Sequence, residues 1–207
     1  MNIFWHRRDL RATDNVGLAH ASSAGEVMPV FIFDPAVMAH AGPPRMAFLI
    51  ETVRALQEWY RDRGGDLLVR QGDPVELLST LAQEHGADMV TWNRDYSGLA
   101  RRRDAAVRRA LADVAIERQV FDDAVFHPPG EILTNQGDPY AVYTYFWRKW
   151  RDRVKPEPLP APTSEQLLDL EGGRTQNYVE LWMIYTLKSM VLRFLEMKLA
   201  VDLIWDK

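Results

Sequence analysis

The run Val27-Met28-Pro29-Val30-Phe31-Ile32-Phe33, closed by Asp34-Pro35, decides the fold. Seven residues that are apolar without alternation suit a strand buried on both faces, as in a parallel sheet covered by helices. Working outward, Ile3-Phe4-Trp5 precedes this run. Leu67-Leu68-Val69, Met89-Val90-Thr91-Trp92 and Ile116 to Phe121 follow it, each of strand length. Helical patterns lie between. Leu49, Val53, Leu56 and Trp59-Tyr60 recur at three- and four-residue spacing, which predicts an amphipathic helix from Pro44 to Arg63, ended by Gly64-Gly65. Asp73 as cap, Pro74 at the first helical position and Glu76 completing a capping box predict a second helix, with Leu77, Leu78 and Leu81 inside and Gly86 as its stop. A third covers Leu99 to Asp113. The expected fold class is α/β: a doubly wound, five-stranded parallel sheet with right-handed crossovers. Ligands of such sheets bind beyond the carboxyl ends of the strands, near a switch in strand order. Those ends are His6 to Arg11, Asp34-Pro35 and Asn93 to Gly98.

The 207 residues are 47% hydrophobic and 26% charged, which excludes disorder and leaves room for one generous domain with an appendage. A formal charge of -4 provides no overall positive field for nucleic acid, so any DNA contact is local. With no cysteine, disulfides, thiolate metal sites and thiol catalysis are excluded, and a cytoplasmic location is the easier reading. The amino terminus lacks a signal-peptide pattern, and Tyr178 to Trp205 is too often interrupted by charge to span a bilayer.

Beyond Pro139 the pattern changes. Tyr140, Tyr143, Phe146-Trp147 and Trp150 form an aromatic stripe at helical spacing, read as a face buried in the core. Lys155 to Pro162 carries proline at every second position, an extended linker that marks a domain edge. The expected organisation is an α/β domain over 1–130, a helix and Pro-rich linker over 131–163, and an atypical helical tail over 164–207. The tail's apolar residues between 178 and 205 would suit self-association or a partner helix.

Dinucleotide, Walker A, zinc-protease and nucleophile-elbow motifs are missing, and His6, His20, His40, His85 and His127 have no metal-ligand spacing. No catalytic or metal residue is assigned. Arg101-Arg102-Arg103, interleaved with Asp95, Asp104 and Asp113, reads as a solvated, salt-bridged surface rather than a phosphate site. The segment His6 to Asn15 has two readings. It is either a binding element or an ion-pair network that fixes the strand-to-helix turn, with Thr13 or Asp14 capping the next helix.

Trp5-His6-Arg7-Arg8-Asp9-Leu10-Arg11 followed by Thr13-Asp14-Asn15 resembles the opening signature of the photolyase/cryptochrome family. Val30 to Pro35, Arg45 to Glu51, Gln71 to Pro74, Asn93 to Tyr96, Arg103-Asp104 and Gly137 to Trp150 continue the likeness in family order. The resemblance implies a Rossmann-like amino-terminal domain that holds a light-harvesting antenna chromophore. In full-length relatives its excitation passes to FAD in a helical domain, and the flavoprotein acts as a DNA-repair lyase, deoxyribodipyrimidine photolyase. There, excited reduced FAD donates an electron to a cyclobutane pyrimidine dimer flipped out of damaged DNA. The likeness fades near Arg174, which suggests a truncated, fused or frameshifted end, so catalysis by this chain alone is not expected. Alternatives are a non-catalytic remnant or interaction module, and a generic nucleotide-binding α/β module.

Folate-binding relatives place Asn and Glu where this chain has Leu99 and Ala100, which disfavours folate. Deazaflavin-binding relatives are similar through His6, Arg45 and Asp95, with Ser97 replacing a carboxylate they use. The resemblance therefore implies 8-hydroxy-5-deazaflavin, with FMN or FAD as second choice. The expected pocket is His6, Phe33, Asp34, Arg45, Asn93, Asp95 and Tyr96.

Overall fold

The computed structural model describes residues 1–170. Five parallel strands form one sheet in the order β3-β2-β1-β4-β5: β1 is Asn2–His6, β2 Val27–Phe33, β3 Leu68–Gln71, β4 Met89–Asn93 and β5 Glu117–Phe121. The chain builds outward from β1 through β2 to β3, then crosses back to lay β4 on the other side of β1. The order therefore reverses between β1 and β4. Their carboxyl ends diverge into separate loops, and a crevice opens between them.

Strand alternation divides the core into two layers. Phe4, Phe31 and Phe33 face α1 (Val16–Ser23) and α3 (Pro43–Arg61), packing with Leu18, Val53 and Tyr60. Ile3, Trp5, Val30, Ile32 and Trp92 face α4 (Pro74–Glu84) and α5 (Gly98–Asp113), packing with Leu78, Val107 and Leu111. Each fully buried large side chain contributes about 1.5–3 kcal/mol of transfer free energy, enough to fix the register of every central strand. A short helix α2 (Pro35–Met38) turns the chain off β2, capped by Asp34. Asp73 caps α4 by accepting from the Val75 N–H at 2.8 Å, two residues on rather than in the three-residue pattern of a capping box. The cap of α1 is Asn15, whose Oδ1 accepts from Leu18 N, and neither Thr13 nor Asp14 takes that role.

Two expectations change. The aromatic stripe forms α6 (Tyr143–Asp152), but none of its residues is buried. No other described element covers it. Its rings instead meet cations, with Arg151 over Trp147 at 4.9 Å and Lys155 over Trp150 at 4.3 Å, and Phe126 lies 6.3 Å from Trp150. The Pro-rich stretch, expected to lead away from the domain, straps back onto it. Asp14 N donates to the Leu159 carbonyl at 2.8 Å, and Leu159 N returns a bond to Asp14 Oδ1. Farther on, the 3₁₀ turn Ser164–Gln166 brings Leu167 into the α3 layer, and Leu168 N bonds the Val27 carbonyl at 3.0 Å. Residues 164–170 thus pack on the α/β body. The rest of the expected tail, including 178–205, lies outside the described residues. Among the described residues no helix is long and apolar enough to cross a membrane.

Gly17 is the tightest point of the fold. A Cβ there would stand 2.6 Å from Asn93 Oδ1 and 2.8 Å from a Phe4 ring carbon. Gly17→Ala is expected to cost about 1–3 kcal/mol, seen as a lowered thermal midpoint by circular dichroism. An unchanged midpoint would show that α1 is free to move off β4.

Candidate functional site

Three polar strands of chain meet at the carboxyl edge of β1 and β4. Arg7, directly after β1, donates to Asp104 Oδ1 of α5 at 2.7 Å and to the Asn93 carbonyl at the end of β4. The other oxygen of Asp104 accepts from Trp92 Nε1 at 3.1 Å. Burial lowers the Arg7 pKa while Asp104 supports its charge, the signature of an ion pair formed largely out of water. Asp9 closes the turn, accepting from Arg7 N at 2.9 Å and from Asn93 Nδ2 at 2.6 Å. Asn93 is fully used: Nδ2 also reaches Asn15 Oδ1, and Oδ1 takes the Gly17 N–H. Arg11 pairs with Asp123 at 2.8 Å and ties the turn to the loop after β5. His6 to Asn15 is therefore an ion-pair and hydrogen-bond network that fixes the turn.

Two cavities of about 400 Å³ each open beside this network. The first is the switch-point crevice, polar and rimmed by Arg8, Arg11, Arg94, Asp95 and Tyr96. The second, over the carboxyl ends of β1 and β2, has an apolar floor of Trp5, Leu10, Phe31, Ile32, Met38 and Leu49, with Phe48 at its mouth. Its polar groups are few: Asp34, Arg45, Asp95, Ser97 and Arg103, besides Arg7 and Arg8 on the shared wall. Arg103 Nη1 donates to Asp34 Oδ2 at 3.1 Å, whereas its buried Nε has no hydrogen-bond partner. Arg45, exposed on the first turn of α3, has no hydrogen bond or ion pair among the described residues. An apolar floor with a free cation and an orphaned donor fits a planar conjugated molecule bearing carbonyl or ring-nitrogen acceptors.

The predicted residues are distributed unevenly. Asp34, Arg45 and Asp95 line the apolar chamber, and Asp95 also borders the crevice. Burial alone would raise the Asp95 pKa, but hydrogen bonds from the Ser97 N–H and hydroxyl, with the charges of Arg8 and Arg7, outweigh it and hold the carboxyl below its ordinary value. Asn93 and Tyr96 border the crevice and not the chamber. Burial, then a 2.7 Å bond to Asp122, pushes the Tyr96 hydroxyl up to about 12. Phe33 is buried behind the chamber, edge-on to Phe31 with centroids 4.9 Å apart.

His6 lines neither cavity. It points into the α3 layer at 0% exposure, Nε2 paired with the Tyr60 hydroxyl at 2.8 Å and Nδ1 with the Asp9 carbonyl. Arg103 and Asp104, expected on a solvated surface, are turned inward as well, because α5 presents Ala100, Asp104, Val107 and Leu111 to the sheet. Trp5, Phe31, Leu49 and Arg103 are chamber residues that the pocket prediction left out. Strand parity sets Trp5 and His6 on opposite sides of the sheet, yet both sides reach the chamber, through Trp5 on one and Phe31 on the other.

The sequence model described as DNA photolyase matches residues 2–163. This chain belongs to the DNA photolyase family. The deoxyribodipyrimidine photo-lyase of Halobacterium salinarum is 54% identical over 177 residues, covering 81% of this chain and 37% of the relative. That of Synechococcus is 40% identical and is covered to 35%. Among solved structures, a class III photolyase from Agrobacterium tumefaciens superposes with a TM-score of 0.77 at 30% identity, over 87% of this chain and 37% of that one. The photolyase of Sulfolobus tokodaii, described with two FAD molecules, shares the fold at a TM-score of 0.75 and 24% identity. The chain thus spans a little over a third of these photolyases and corresponds to the family's amino-terminal domain. The family signature from Trp5 to Asn15 proves to be, in structural terms, the network that shapes both cavities.

Asp104→Leu strands the Arg7 charge and is expected to cost about 3–5 kcal/mol in urea unfolding, where a loss below 1 kcal/mol would show the pair to be dispensable. Burial, against the opposing pull of Asp9, lowers the His6 pKa from 6.5, so folding keeps the ring neutral. Its contribution is complete above that value and is lost as pH falls from 6.5 toward the depressed folded pKa. His6→Gln should flatten the stability profile in that acidic window, measured as thermal midpoint against pH.

Proposed function

We propose that the apolar chamber holds an antenna chromophore, making this chain the light-harvesting domain of a photolyase-type flavoprotein. The observation that carries the reading is the pairing of an aromatic and aliphatic floor with Arg45 and the unsatisfied Arg103 Nε at the carboxyl edge of a doubly wound sheet. Bound there, the chromophore supplies absorption in the near ultraviolet or blue and transfers its excitation. The protein's part is to bind and orient it. Phe31 and Leu49 shield its faces, Arg45 offers a cation at the mouth, and Asp34 and Arg103 fix one edge.

Of the candidate ligands, 8-hydroxy-5-deazaflavin is preferred, with FMN or FAD second. Leu99 and Ala100 stand on the chamber wall, and neither side chain can hydrogen-bond a pterin, so folate is disfavoured. The site residues proposed are Asp34, Arg45 and Asp95, joined by Trp5, Phe31, Leu49 and Arg103. The crevice bordered by Asn93 and Tyr96 stands beside it. Domain limits near 130 and 163 belong to the same proposal. So does action in the cytoplasm, where DNA and flavin cofactors are accessible. Dimer splitting in damaged DNA, and the catalytic FAD it needs, are assigned to the part of the family beyond the matched third.

The test is reconstitution of the purified chain with 8-hydroxy-5-deazaflavin, and separately with FMN, followed by gel filtration and absorption spectroscopy. A visible or near-ultraviolet band that travels with the protein and leaves on denaturation is expected. Arg45→Ala should weaken binding roughly tenfold, about 1.4 kcal/mol. Elution of both compounds free of protein would overturn the proposal.

A further inference from the structure

The chamber has an inner wall that an antenna should avoid. Trp5 carries the most easily oxidised kind of side chain and lines the floor on which the chromophore of the preceding proposal would lie. An excited flavin or deazaflavin in contact with an indole is quenched: one electron leaves the indole for the excited ring, then returns, and the photon's energy becomes heat. No atom moves and no outside oxidant is consumed. Trp92 makes the loss easier, since its ring centroid lies 6.1 Å from that of Trp5 and its N–H is bonded to the Asp104 carboxylate, which favours a positive charge there.

Two cations stand against this. The guanidinium carbon of Arg103 lies 4.8 Å from the Trp5 ring centroid and that of Arg7 lies 4.9 Å away, both over the ring. Both residues also line the chamber, and beneath them Trp5 is only 1% exposed. Positive charge at that distance raises the cost of removing an electron from the indole. The same groups line the chamber beside the ring. Electron transfer weakens steeply with each added ångström of separation, whereas excitation transfer acts through space over much longer distances. A charged cover slows the first and leaves the second almost untouched. The cover is also anchored: Asp34 holds Arg103 at 3.1 Å and Asp104 holds Arg7 at 2.7 Å.

We propose that Arg103, assisted by Arg7, is a positioning residue that protects the excited antenna chromophore by shielding it from Trp5. The inference rests on the antenna reading. Its test is the fluorescence lifetime of the bound probe, 8-hydroxy-5-deazariboflavin in one arm and FMN in the other. Arg103→Gln keeps reach but removes charge and should shorten the lifetime several-fold. Arg103→Lys, which keeps the charge, should shorten it less. Adding Trp5→Phe to Arg103→Gln should restore the wild-type lifetime, a result that a purely structural role for Arg103 would not give. If Arg103→Gln fails to fold, Asp34→Asn releases the same guanidinium from its anchor and is read in the same way. A lifetime unchanged in these variants, or shortened without rescue by Trp5→Phe, overturns the inference while binding of the probe keeps the antenna reading intact. Failure of the wild-type chain to retain either probe overturns the antenna reading, and this inference falls with it.

Discussion

A single guanidinium organises the carboxyl edge of this sheet. Arg7 leaves β1 on the side of α5, where a charge has little water to solvate it, and it survives there because Asp104, the Asn93 carbonyl and the backbone turn around Asp9 surround it. Such a buried pair adds little net stability over an apolar substitute, but it is unforgiving of alternatives: any other placement of α5 or β4 would leave a charge without a partner. The pair thus specifies geometry. Through Asp104 it sets the angle of Trp92, and through Asn93 it locks the entry to α1.

The two cavities follow from that geometry. The reversal of strand order opens the crevice, and the outward path of α2 and α3 leaves the chamber above β1 and β2. Their shared wall of Arg7, Arg8, Asp95 and Ser97 carries the charge, while apolar groups from β1, β2 and α3 line the chamber alone. One side of the network is a polar slot and the other an apolar cup.

Much of this was legible in the sequence. Apolar runs marked β1, β2 and β4, central strands covered on both faces, whereas at the edge β3 runs on past its apolar start into Arg70 and Gln71. β5 was found through Ile116, yet the strand begins at Glu117 and is largely exposed, as suits an edge strand. Asp34, Arg45, Asp95 and Arg103 all stand in family motifs, but the inward turn of Arg103 is not legible there, because it depends on Asp34, 69 residues away. His6 stays away from both cavities because its ring is held by the Tyr60 hydroxyl and the Asp9 carbonyl, and the Tyr60 pairing, 54 residues off, leaves no mark in local sequence. The stripe of α6 shows the limit of periodicity, which says that a face is apolar and not what covers it.

The strap from Asp14 to Leu168 has a consequence for how the domain is attached to other things. Asn2 sits opposite Val27 at the amino edge of the sheet, and Leu168 bonds that same Val27, so the first residue and the last described ones share one corner, with Met1 and Leu170 touching the same apolar layer. Both cavities open at the far edge. A host loop could receive residues 1–170 as a cassette, entering and leaving at neighbouring points while the rim that carries both cavities faces away from the graft.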